Sequence, residues 1–150
     1  MRFVVALSIA STVLAAGAIA DTLSTSATVA LLIEATLAEK SEQDAFHYLE
    51  ALGVPGVPYL VGHLSDVRPL PVQRMSLANN FPGAFESLRH YSPQTVHDAL
   101  AAILNQVTGV AFEPVYNGAT AEVRAKNTKQ WRAWCRVKFP KQSKACNGAI

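Results

Sequence analysis

Glycine and proline breaks constrain this chain more than any other feature. Interruptions at Gly53–Pro58, Asp66–Pro71, Asn80–Gly83, Gly109–Gly118 and Pro140 cut it into short segments. Within those segments apolar residues recur at helical rather than alternate spacing. Val29, Leu32, Ile33, Thr36 and Leu37 predict a first helix from about Ser26 to Glu39. Ser41 followed by Asp44 resembles a capping box and opens a second helix that buries Ala45, Phe46, Leu49 and Leu52, with Gly53 as its C-terminal cap. A short helix over Pro58–Leu64 and another around Val72–Asn79 follow, the latter burying Val72, Met75 and Leu77 or Ala78.

Ser92 with Pro93 is the clearest helix start, a cap followed by a proline in the first turn. That helix runs to about Val107 with Val96, Ala99, Leu100, Ile103 and Leu104 on one face, and Gly109 ends it. Residues 110–118 read as an irregular, apolar loop. Thr120 then caps a final helix to about Val137, stopped by Pro140. The expectation is an all-α domain of about seven short helices stacked as antiparallel neighbours.

The beginning of the chain sets its compartment. Arg2 precedes an uncharged apolar run from Phe3 to Ala16, and small residues at Ala18 and Ala20 stand before Asp21. This is the pattern of a secretory signal peptide over residues 1–20, cleaved after Ala20. Removing 20 of the 150 residues leaves 130, enough for one helical domain with a single core over 21–150. The expected location is the periplasm or the medium, and no later apolar stretch is long enough for a transmembrane segment.

Cys135 and Cys146 are the only cysteines. In an oxidising compartment they are expected to form one disulfide, worth roughly 2.5–3 kcal/mol by chain entropy. Two sulfurs alone do not make a metal site, and no metal is expected.

Charge is unevenly distributed. Residues 21–66 hold seven acids against Lys40 alone, whereas residues 124–144 hold eight bases and no acid. On the last helix Trp131 and Trp134 fall on the apolar side, and Lys126, Lys129, Arg132 and Arg136 form a basic stripe. These four cations are the candidate partner-binding residues, with Tyr59 and Phe85 as candidate exposed aromatics. The same stripe also suits a plain solvated face. Nucleic acid is not expected as a partner, because no base-reading motif accompanies the charge.

Catalytic signals are missing. The pairs Asp44/His47 and Glu86/His90 each supply two ligand-type groups without a third, and His97 and Asp98 point to different helix faces. His63 near Asp66 reads as helix-end polarity. There is no G-x-S-x-G elbow, P-loop or dinucleotide fingerprint. No catalytic residue and no cofactor are expected.

The stretch from Tyr48 to Leu60, with Leu64-Ser65-Asp66-Val67-Arg68 and a helix through Arg74, resembles a HEAT-like repeat. Leu104–Gly109, Phe112 and Trp131-Arg132-Ala133-Trp134 are similar to the endings of many bacterial HEAT-repeat proteins. The resemblance covers residues 45–79 and 100–135, with no fixed period between them. It implies an α-solenoid that binds another protein. The functional expectation is therefore an exported cell-envelope binding module, of which an inhibitor or immunity protein is a special case. Its partner would be a protein, acidic if the basic stripe is used, or an anionic envelope polymer. A small periplasmic hydrolase with paired carboxylates and a ligand-carrying helical bundle are the alternatives.

Overall fold

Side-chain hydroxyls, more than apolar periodicity, decide where the first helix stops. In the computed structural model, which describes residues 25–148, helix α1 covers 25–35. Thr36 donates its hydroxyl to the Ile33 carbonyl at 2.7 Å, and Ser41 donates to Ala35 at 2.7 Å. Both carbonyls also take the amide three residues on, from Thr36 and Ala38, so the last turn tightens and the helix ends short of Glu39. Ser41 is thereby drawn away from the capping role expected of it: α2, Glu42–Ala51, starts without a side-chain cap. The signal segment 1–20 and its cleavage site lie outside the described residues.

Helix α2 buries Ala45, Phe46 and Leu49, as its spacing predicts. Gly53 adopts φ +59° and turns the chain directly into α3, Gly53–Gly62. The Val54–Pro58 stretch expected as a break is therefore the first half of a helix, with Pro55 in its first turns, where amides have no partner. Tyr59 is buried within α3 and is not an exposed aromatic.

Residues 72–79 are not helical. Met75–Ala78 forms strand β1, paired antiparallel with β2, Leu88–Tyr91, so that Met75 faces Tyr91 and Ala78 faces Leu88. Met75 and Leu77 are buried two residues apart, while Val72 is exposed. The outer edge of β1 is met by the polar face of α2. Gln43 exchanges hydrogen bonds with the Ser76 amide (3.2 Å) and carbonyl (3.0 Å), His47 reaches the same carbonyl at 2.9 Å, and Glu50 accepts from the Ala78 amide at 3.4 Å. The helix through Arg74 that the repeat resemblance requires is thus extended chain. The described residues form a mostly helical domain with a two-stranded sheet.

Helix α4, Val96–Thr108, is the centre of the core: every residue from Val96 to Gln106 is buried. Its start is set by Asp98, which accepts from the amides of Gln94 (3.0 Å) and Thr95 (3.1 Å). Thr95, not Ser92, is the N-cap. Ser92 instead donates its amide to the Asn117 side chain at 2.8 Å. Two amides at the start of α4 reach further back, Val96 to the Arg68 carbonyl (3.0 Å) and His97 to the Asp66 carbonyl (2.9 Å). They fasten the 64–68 turn to the helix.

Helix α5, Ala121–Lys138, is capped by Thr120, which accepts from Val123 at 3.4 Å. Trp131 is fully buried and stacks edge-on with Phe112 and Trp134 at 4.9 and 5.5 Å. Val137 is exposed. A 3-10 turn, Pro140–Gln142, leads into α6, Ser143–Cys146, and Cys146 bonds to Cys135 with 5.8 Å between Cα atoms. Helix α6 packs on α3 at Gly62, where a Cβ would stand 2.4 Å from the Ala145 carbonyl oxygen. No helix among the described residues is long and apolar enough to cross a membrane.

Candidate binding cleft

Turning once every 3.6 residues, α5 presents two faces. One buries Asn127, Trp131 and Cys135. Another forms a wall of a cleft of about 770 Å³. Ala121, Arg124, Ala125, Thr128, Lys129, Arg132 and Arg136 run along that wall. Leu64, Ser65, Val67, His97 and Asn147 complete the lining, with Leu64 against Thr128, Ser65 against Arg132 and Asn147 against Arg136. The size falls within the usual range of ligand pockets, about 300–1,000 Å³.

Of the four cations predicted to bind a partner, Lys129, Arg132 and Arg136 line this cleft. Lys126 does not: it forms an ion pair with Glu113. On the helix Lys129, Arg132 and Arg136 fall within about 60° of one another, and Lys126 lies about 60° beyond Lys129. Arg132 contacts the Ser65 hydroxyl at 3.5 Å, and Arg136 donates to Asn147 at 2.9 Å. Both contacts are with neutral groups. Among the described residues none of the three cations has a carboxylate partner.

The acids beside the cleft are already engaged. Asp98 is fully buried and takes Arg124 through Nε at 2.7 Å and Nη2 at 2.8 Å. Arg68 bridges Asp66 at 2.6 Å and Glu34 at 2.7 Å. Burial alone would raise the Asp66 carboxyl, but the Arg68 hydrogen bonds outweigh it and hold the group below its ordinary range. Among the described residues the uncompensated charge lining the cleft is therefore positive.

His97 is fully buried and donates Nδ1–H to the Leu64 carbonyl at 2.5 Å. Thr128 donates to the same oxygen at 3.3 Å. Burial holds the His97 imidazole below its usual value, against the raising effect of the Leu64 carbonyl, Asp98 and Asn127. It is a neutral positioning group that ties α4 to the 64–68 turn. His97 and Asp98 have separate partners, in keeping with their different helix faces. Arg124 was not among the sequence candidates, and its partner lies 26 residues away with no local signal.

Elsewhere the ionisable groups remain dispersed. His47 and His90 both turn to Ser76, at its carbonyl and its hydroxyl (2.9 and 2.8 Å). No group of three or more His, Cys, Asp or Glu side chains converges among the described residues. Glu39 and Glu42 share a small hollow with Arg74. There the Glu42 carboxyl is buried, pushed up by desolvation and bound to the Val72 amide at 2.9 Å, while Glu39 stands in solvent. Phe85 is fully exposed in the turn between the strands. No family model, curated protein or solved structure matches the chain.

Proposed function

We propose that this chain is an exported binding module of the cell envelope and that an acidic partner protein seats in the α5 cleft. The observation that carries the reading is the convergence of Lys129, Arg132 and Arg136 on one hollow with no carboxylate among the described residues to neutralise them. Cations without carboxylate partners contribute little to stability but steer and hold an oppositely charged surface. An inhibitor or immunity protein is one form such a module takes.

Export is supported by the signal pattern of residues 1–20 and by a disulfide suited to an oxidising compartment. The HEAT-like resemblance enters through α2 and α3, two short helices joined at Gly53. No residue is assigned a catalytic role.

The test is chemical cross-linking in envelope extracts with the wild type and with Arg132→Glu/Arg136→Glu. The wild type should capture a specific acidic protein, and the reversed variant should lose it, with native circular dichroism in both. Identical capture by both proteins would remove the cleft from consideration.

A further inference from the structure

The cleft has two chemically different ends. Toward the start of α5 exposed Val67, Ala121 and Ala125 line it around Arg124, whose charge is taken up by Asp98, and Leu64 with Thr128 stands between the two ends. Toward the end of α5 it is cationic, with Lys129, Arg132 and Arg136. The ends follow one another along a straight helix. At about 1.5 Å per residue, the three cations begin about 9 Å beyond the middle of the apolar end and finish about 20 Å beyond it. An extended chain covers that interval in roughly three to six residues at about 3.3 Å each.

We infer that the cleft takes an extended acidic peptide segment carrying one large apolar side chain, with carboxylates three to six positions away from it. This deepens the reading of the cleft as a seat for an acidic protein and rests on it. The apolar side chain covers Val67, Ala121 and Ala125, surface that charge alone leaves in water. The guanidinium groups of Arg132 and Arg136 offer planar forks that match carboxylates. Asn147 and Ser65, already bound to those arginines, hold the forks in place without neutralising them.

The experiment uses the full chain with its disulfide formed and fluorescein-labelled ten-residue peptides in both sequence orders. One peptide carries a phenylalanine and three glutamates spaced as above. Its controls replace phenylalanine with glycine or the glutamates with glutamine, and inorganic polyphosphate serves as a competing anion. The complete peptide should bind roughly tenfold more tightly than the glycine control, the factor expected for burying one aromatic side chain, and should lose its salt-dependent binding when the glutamates become glutamine. Val67→Gln/Ala125→Gln should erase the advantage of phenylalanine and leave the salt-dependent part intact. Arg132→Glu/Arg136→Glu should abolish binding of both glutamate peptides.

Equal binding with and without phenylalanine would overturn the two-ended site while leaving the basic cleft standing. Failure of both glutamate peptides and polyphosphate would remove the basic cleft as well. Binding of polyphosphate alone would replace the acidic peptide with a phosphate polymer and overturn the inference. All substituted positions in α5 and the turn lie on the cleft surface, and unchanged circular dichroism confirms the fold of each variant.

Discussion

Asp98 receives the Arg124 guanidinium through two hydrogen bonds, at 2.7 and 2.8 Å, while the same carboxylate caps α4 at Gln94 and Thr95. One buried group thus fixes both the start of the central helix and the first turn of the helix that walls the cleft. Removing one member leaves the other charge buried and alone, which costs about 3–5 kcal/mol in comparable pairs. Arg124→Ala should therefore lower unfolding free energy by about that amount in urea titrations. A loss below about 1 kcal/mol would show that the ion pair does not bear on stability.

The disulfide closes a sequence separation of 11 residues, and both sulfurs are buried. Chain entropy assigns it about 2.8 kcal/mol. Cys135→Ser/Cys146→Ser should lose close to this in unfolding free energy by urea titration and should keep most of its helical signal, because the bridge ties only the short α6 to the end of α5. Global unfolding of that variant at 25 °C would give the bridge a larger role.

Gly62 and Ala145 meet too closely for a side chain between them, since a Cβ on Gly62 would fall 2.4 Å from the Ala145 oxygen. Gly62→Ala should cost about 1–3 kcal/mol as overpacking and loosen α6 before the rest of the fold. Hydrogen exchange would show this as lost protection confined to 143–148. Unchanged exchange there would contradict the contact.

Acid should weaken the fold through its histidines. Burial holds folded His63 and His97 below their ordinary 6.5. The unfolded chain then binds more protons as pH falls through that value, so stability rises with pH across the window. It is complete above about 6.5 and declines as the pH drops through the folded values. Around His97 the charged groups are Asp98 on its own helix and Arg124 on α5, with the side chain of Asn127 adjacent. Glu42 and Glu50 act in the opposite sense, because burial raises both above 4.5 and their contribution is lost as pH increases. The comparison is therefore between proteins: His97→Gln should show a shallower dependence of the urea midpoint between pH 7.5 and 5.5. Parallel curves for the two proteins would sink this assignment.

Lys129 and Lys126 should behave differently although three residues separate them. Lys129→Glu should change stability by less than about 0.5 kcal/mol and weaken binding of an acidic peptide. Lys126→Ala, which removes only the partner of Glu113, should leave that binding unchanged. Equal effects on affinity would mean that the cleft does not select the cations.

How far the sequence foretold this structure depended on the range of the interactions involved. Helices α4 and α5 were legible from periodicity, Thr120 from cap chemistry, and the Cys135–Cys146 bridge from composition and compartment. The β1–β2 pair was not, because Met75 and Ala78 over four residues fit a helix face as well as a strand. What decides between them is the polar edge of α2, 33 residues earlier at Gln43. The start of α4 was misassigned to Ser92 for a related reason: Asp98 reaches back to Thr95, a threonine with an aspartate three residues on, and the more familiar serine–proline signal masked it. In the cleft, helical geometry brought Lys129, Arg132 and Arg136 together. Val67 and Leu64 come from a distant turn that only tertiary packing could place.

The side chains of Gln43, His47 and Glu50 seal one border of the hairpin. Among the described residues only β2 therefore keeps a border open to another strand. Strand-to-strand association of this chain by that route ends when two hairpins have met back to back, because neither offers a second vacant side. Fibre growth from the folded hairpin is closed off by three polar residues of a neighbouring helix.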